Sequence, residues 1–440
     1  MIISDTNEHY QGVQKSDAES QDTPADENAN TIVYIGGFEL PDKNAAAQRV
    51  VANAQIFKQL GYRVLLVGLS KDRPADGNLY PADSGKAGIE AWEMGYPDNS
   101  WEWLRQIISV AALRKLLLET KVRKLDAVIC YNHPAISQWR IAKLAQKHQA
   151  VAVADCTEWY AKRRWRSLTG AMKNLDVALR MHFINPRMDG LITTSPFISD
   201  FYRPHGIPIV EIPTLMAPPE TLPVPAIDRS DGRTKLFFAG TGFDKATVAE
   251  SSDGMKDRLD WVFAILHRAK LLGARFHMDL FGVDQAQYME LVPEQKEILK
   301  AMENDITFHG RQPREILLQV LPRAAFSIFF RKSTRTNLAG FPGKLSESIS
   351  YGTPVITNPM PSSSQFMNDG QTGYLLDASD IDQVAKKLVA VFDQPDAVIN
   401  SMKSDCYSSD IFHYRSFISP VAEWLSSLNS DVTDVGQSTD

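Results

Sequence analysis

Ala339-Gly340-Phe341-Pro342-Gly343-Lys344-Leu345-Ser346-Glu347, followed at once by Ser348-Ile349-Ser350-Tyr351-Gly352-Thr353-Pro354-Val355-Ile356, is the stretch on which the fold turns. A Gly/Pro turn opens a short helix here. Pro342 suits a first helical turn, where its missing N–H would have had no partner. Gly343 lets the backbone come close to whatever sits above it. Lys344 and Glu347 lie three apart and share one face. Gly352 ends the helix, Pro354 forbids its continuation, and Val355-Ile356 starts a buried strand.

A helix start with free N–H groups and a lysine beside it attracts anions. The Glu347 carboxylate adds an acceptor for hydroxyls. Together they suit a ligand with phosphates at one end and a sugar at the other. The same residues also read as an ordinary turn carrying a Lys344–Glu347 surface pair.

The run resembles the C-terminal signature of retaining GT-B glycosyltransferases of the large group that builds bacterial polysaccharides and lipid-linked saccharides. The resemblance implies that Glu347 holds the ribose of a sugar nucleotide. Many relatives carry a second glutamate eight residues earlier, where this sequence has Ala339. Further stretches extend the likeness. In Phe238-Ala239-Gly240-Thr241-Gly242…Lys256-Asp257, the resemblance makes Lys256 a ligand of the donor diphosphate, with Gly240 and Thr241 on its loop. Thr307-Phe308-His309-Gly310-Arg311 resembles the loop whose backbone meets the nucleobase, so Gly310 and Arg311 are donor-side. Phe329-Phe330-Arg331 delivers Arg331 to the same region, beside Gly340, Phe341, Pro342 and Gly343. The likeness covers most of residues 31–428, closely in the C-terminal half and loosely in the N-terminal half. Taken singly, Lys256 and Arg331 read as surface or ion-pair residues.

With 440 residues, the chain holds two domains with full cores. Its 44% hydrophobic and 23% charged composition is that of a globular protein. Cys130, Cys156 and Cys406 are odd in number and far apart, giving neither a disulfide framework nor metal spacing, as a reducing cytosol implies. The N-terminal stretch lacks a signal-peptide pattern, and no apolar run reaches bilayer-spanning length. A cytoplasmic protein is expected. The net charge of −6 hides an asymmetry: residues 1–30 carry a surplus of six acids and the last dozen residues three, leaving the body at +3. Both ends, 1–30 and 429–440, are expected to be disordered.

The predicted fold class is α/β, with two Rossmann-like doubly wound domains facing across a cleft. Ile32–Ile35 ends in Gly36-Gly37, Ala45–Leu60 is helical, and Arg63–Val67 is the next strand, a βαβ opening. Gly36 and Gly37 read as a phosphate-approach loop or as a plain turn; Asn44 and Arg49 face the same cleft on the first reading. Strand signals at 126–130, 150–153, 190–194 and 209–212 complete a domain over 31–213, whose mouth belongs at the carboxyl ends of its strands. In that mouth His133 resembles a loop histidine near the reacting carbon, and equally reads as a backbone cap. Asp155 and Glu158 would orient an acceptor hydroxyl or cap a helix. The proline-rich segment 214–233 is the linker. A second domain spans 234–411, and a helix near 412–428 returns to the first domain in the resembling fold.

Residues 159–188 hold Lys162, Arg163, Arg164, Arg166, Lys173, Arg180 and Arg187 with interleaved aromatics. They read as a peripheral face for anionic membrane, or as a solvated helix face. No nucleic-acid module surrounds them. Asp380-Ile381-Asp382 matches a metal-holding Asp-x-Asp, but it sits where a helix begins and reads better as a cap. No metal or other cofactor is expected.

The partners expected are a nucleotide sugar and a saccharide or lipid-linked acceptor. The chemistry follows from charge: breaking the bond to a nucleoside diphosphate leaves negative charge on oxygen, and Lys256, Lys344 and Arg331 would stabilise it. No Ser/His/Asp or Cys/His set is present to act instead. A nucleotide-sugar epimerase of the same architecture, and a catalytically silent sugar-nucleotide-binding relative, remain as alternatives. A nicotinamide dehydrogenase lacks support, since neither glycine loop has the spaced fingerprint.

Overall fold

The computed structural model describes residues 28–98, 109–159, 168–218, 224–240 and 255–434. Thr241, Gly242, the bases Lys162 to Arg166 and most of both tails lie outside the described residues.

Short apolar runs broken by glycine turns build two sheets. The first has eight strands in the order β3-β4-β2-β1-β5-β6-β7-β8. These are β1 Thr31–Gly36, β2 Arg63–Ser70, β3 Tyr80–Ala82, β4 Glu90–Gly95, β5 Leu125–Tyr131, β6 Val151–Cys156, β7 Gly190–Thr193 and β8 Ile209–Glu211. All pairings are parallel except β3 with β4. The central strands are apolar at successive positions because both faces are covered, as parallel sheets require. On one face Ile32, Tyr34, Val64 and Leu66 meet the Ala45–Gln59 helix. On the other Val33, Ile35, Leu65 and Val67 meet Leu113, Leu116 and Ile141. β3 and β4 escaped the sequence reading: β4 alternates buried with half-buried residues, a weak signal in six residues.

The second sheet is wholly parallel, in the order β11-β10-β9-β12-β13-β14. Its strands are β9 Thr234–Ala239, β10 Phe276–Phe281, β11 Ile306–Gly310, β12 Phe326–Ile328, β13 Val355–Thr357 and β14 Gly373–Leu375. The helix read from the opening stretch is Gly343–Ser350, and it runs into β13 as expected. An unanticipated helix, Asp396–Ser408, closes this domain.

The returning helix is Ile418–Asp434, entered through a 3-10 turn at Tyr414–Phe417. Val421, Trp424, Leu425 and Leu428 bury against the first sheet's core, and Trp424 Nε1 donates to the Pro208 carbonyl at 3.1 Å. The helix is described to Asp434, past the end near 428 expected from the sequence.

Candidate active site between the two sheets

Loops after the carboxyl ends of β6 and β7 meet those after β9 and β12. The Thr194 and Ser195 hydroxyls donate to the Ala339 carbonyl at 3.2 and 2.8 Å. Ala339 has no exposed surface and packs into the first domain's core. The position where relatives place another glutamate is thus a domain contact, filled by a methyl group.

Beyond this contact five charged groups converge. Arg331 Nε and Lys344 Nζ each lie 2.7 Å from a different oxygen of Asp257. Lys256, the residue before Asp257, has its ammonium 3.8 Å from Glu158 of the first domain. Burial alone would push the Asp257 carboxyl up, but the Arg331 and Lys344 charges overcome it and hold the group well below the usual carboxylate range. Burial lowers the Lys344 ammonium, with Asp257 opposing. Burial also lowers Lys256, and the Arg331 charge adds to the shift. Glu158 is raised by burial, against the pull of Lys256 and Arg180. Among the described residues, three cations thus face two acids, and the buried Arg331 Nη1 has no hydrogen-bond partner.

The glycines lie where their small size matters. A Cβ at Gly240 would stand 2.9 Å from the Phe238 ring, and one at Gly340 3.2 Å from the Thr336 carbonyl oxygen. Phe341 and Pro342 are buried beneath the turn, and Gly343 opens its helix facing Thr214. Lys344 also sits 4.1 Å from the Phe238 ring centre, a cation–π contact that fixes its direction.

Lys344 and Glu347 do not pair with each other. Glu347 accepts from Arg314 at 2.8 Å, and Arg314 opens the helix that follows Gly310 and Arg311. The loop after β11 and the acid of the opening stretch are thereby neighbours. Gly310 has φ +61°, and Arg311 is exposed.

Two acceptor-side expectations are corrected. Asp155 is fully buried and Arg49 nearly so; their closest contact is 2.8 Å, with Tyr34 also donating to Asp155. Arg49 further donates to the Ile212 and Pro213 carbonyls, tying down the start of the linker. Neither has surface to offer an acceptor. Asn44 caps the Ala45–Gln59 helix by accepting from Ala47 N–H. Glu158 lies beside the cleft, 3.8 Å from Lys256.

Within 159–188 Trp159 and Arg180 face inward. Trp159 is buried among Phe197, Phe201 and His182, and Arg180 is buried, donating to the Asn132 and His133 carbonyls. Asp380 caps its helix through Gln383 N–H and Asp382 pairs with Arg268, as caps and surface acids do. Gly36, Gly37 and His133 share a second hollow inside the first domain. Burial pulls the His133 imidazole down to about 4, and the Arg180 charge adds to it.

The sequence did not single out Asn337 and Asn358. Asn337 donates to the Lys256 carbonyl at 3.1 Å, while Asn358 accepts from Arg331 N–H and donates to its carbonyl. Both hold the backbone beneath a cation, a role legible only once the chain is folded.

Residues 246–394 match the family model described as Glycosyl transferases group 1. The chain has the GT-B fold, and this segment of it is similar to that family. The matched segment contains Lys256, Asp257, Arg314, Arg331, Lys344 and Glu347. No curated protein matches the sequence. Among solved structures, sucrose-phosphate synthase from Thermosynechococcus elongatus is 13% identical, with 91% of this chain and 100% of that one covered at a TM-score of 0.61. The lipopolysaccharide outer core galactosyltransferase WaaB is 16% identical over 88% and 98% of the two chains, with a TM-score of 0.56. Anabaena Alr3699/HepE in complex with UDP and glucose is 13% identical over 90% and 100%, with a TM-score of 0.56. At such identities the likeness establishes the fold of this GT-B chain. Among its described residues no helix is long and apolar enough to cross a membrane.

Proposed function

We propose that this chain is a retaining, metal-independent glycosyltransferase that moves a hexose from a nucleoside-diphosphate sugar to a saccharide or lipid-linked acceptor in surface polysaccharide or glycolipid assembly. The observation that carries the reading is the excess of cations at the glycine turn: Lys256, Arg331 and Lys344 converge against Asp257 and Glu158. A diphosphate would supply the missing negative charge, and Arg331 Nη1 awaits an acceptor.

The bond from the anomeric carbon to the phosphate oxygen breaks, the acceptor oxygen bonds that carbon on the same face, and its proton leaves with the diphosphate. Fixed cations stabilise charge developing on the leaving oxygen without reorganising. They would do the work that a divalent ion does elsewhere. Glu347, oriented by Arg314, would hold the ribose beside the Gly310–Arg311 loop. The UDP named in the HepE structure agrees with a nucleoside-diphosphate donor.

A peripheral site on anionic membrane is supported by the exposure of Ile136, Trp139, Leu175 and Phe183 beside Lys143, Lys173 and Arg187.

A thermal-shift panel of uridine, guanosine, adenosine and thymidine diphosphate sugars tests the donor assignment, since a ligand of the native state raises the melting temperature. At least one should raise it in the parent, and raise it less in Lys344→Met. No shift with any member overturns the reading.

A further inference from the structure

The first domain contains a 570 Å³ cavity on the sheet face covered by the Ala111–Glu119 and Ala135–Lys147 helices. Interiors normally close to crystal-like density, so a hollow of this size beside a packed core is a built space. It falls in the range of ligand pockets, which are mostly apolar with a few polar groups at one end. Aliphatic side chains of Ile35, Val67, Leu69, Met94, Val110 and Leu113 make its walls. Asp76 is the one charged side chain among the described lining residues, and it is occupied by Asn78 and Tyr80.

One end is different. There Gly36-Gly37 lies with Asn132 and His133, while the other uncharged polar lining residues, Tyr96 and Ser109, are engaged by Glu39 and by the Ala111 N–H. Asn132 Nδ2 donates to Thr157 Oγ1 at 2.5 Å, and the next residue, Glu158, faces Lys256 across the cleft. The polar end therefore leads towards the cation cluster. Outside the same wall, the helix that contributes Ile141 exposes Ile136 and Trp139.

We infer that this cavity binds the hydrocarbon chain of a glycolipid acceptor, leaving its sugar hydroxyl at the Gly37–His133 end facing the donor site. The inference rests on the transferase reading and specifies its acceptor. A lipid phosphate has no cation to meet among the described lining residues, so the enclosed part is the uncharged chain. Its aliphatic walls suit a flexible chain better than a planar aglycone.

Isothermal titration of the full-length protein with glucose and with hexyl, octyl and decyl glucoside, each below its micelle concentration, tests this. Every methylene that enters the cavity should tighten binding about three- to fourfold. Val110→Trp, which fills the cavity from a wall, and Ala75→Trp, which fills it from the half-exposed rim, should each abolish that chain-length dependence. Both should keep the parent's thermal shift with the donor nucleotide, which also reports that they fold. Affinity independent of chain length overturns the inference. So does a chain-length gain that survives in a folded variant, because the chain then binds elsewhere. Loss of the nucleotide shift in the parent would sink the transferase reading, whereas loss of alkyl binding alone sinks only this one.

Discussion

The Lys344 ammonium lies 2.7 Å from the Asp257 carboxylate, eighty-seven residues away, and not over Glu347 one helical turn along its own helix. Asp257 thereby holds two cations, Lys344 and Arg331, aimed at one place. Such fixed charges act on a leaving group without paying reorganisation energy at the moment of reaction. Lys344→Met should lower kcat by about 10²–10³-fold, with a smaller change in KM. Steady-state kinetics on the donor identified by thermal shift checks it, and a fully active variant removes Lys344 from the chemistry.

Glu347 is partnered by Arg314 at a half-exposed site, so their pair contributes under about 1 kcal/mol to stability. Glu347→Ala should therefore keep its melting temperature while losing transfer. Comparing circular-dichroism melts with product formation separates the two; an active Glu347→Ala enzyme contradicts the ribose assignment.

Removing Arg49 should act on the fold instead. It would leave Asp155 charged and buried without its main partner, a loss of about 3–5 kcal/mol. Arg49→Met combined with Asp155→Leu removes both charges and should recover much of that loss in urea unfolding. Equal destabilisation of single and double variants would contradict the pairing account.

His133 is held neutral, with its titration drawn from about 6.5 down to about 4 by burial and then by Arg180. Between these values the unfolded chain binds a proton that the folded chain does not, so stability falls as pH drops from about 6.5 towards 4 and levels off below. His133→Gln should flatten that part of the profile. Proton NMR of the imidazole gives the midpoint directly, and a midpoint near 6.5 would contradict the shift.

Transfer should survive a chelator. If cations of the chain neutralise the diphosphate, activity after exhaustive EDTA treatment should match that before it, and adding magnesium should change little. Activity restored only by a divalent ion would overturn metal independence.

The sequence carried the parts of the site that depend on local chemistry. Pro342 and Gly343 mark a turn that a helix can follow, Ile32–Ile35 declares itself as a strand by an unbroken apolar run, and Phe276–Phe281 does so by a largely apolar pattern that ends at Gly282. Lys256, Arg331 and Lys344 were expected near one another, and the fold brings them together. Pairings made across the fold were not legible. Arg49 and Asp155 looked like cleft residues because each follows or lies near a strand end; only the packing of the first helix against β6 makes them a sealed pair. Arg180 and Trp159 sit in a run of bases and aromatics whose average character suggested a surface, yet both turn inward. Arg314 as the partner of Glu347 depends on the spacing of two helices thirty-three residues apart, which no periodicity records.

The Ile418–Asp434 helix, docked through Trp424 and Leu428, gives the polypeptide two crossings between its halves, one after Pro213 and one before Tyr414. A body strapped at two points cannot swivel freely; it can rock only about a line through both straps. Any opening that admits a donor must bend Arg49-anchored backbone and the approach to Tyr414 together, so stiffening either strap should slow product escape as much as entry.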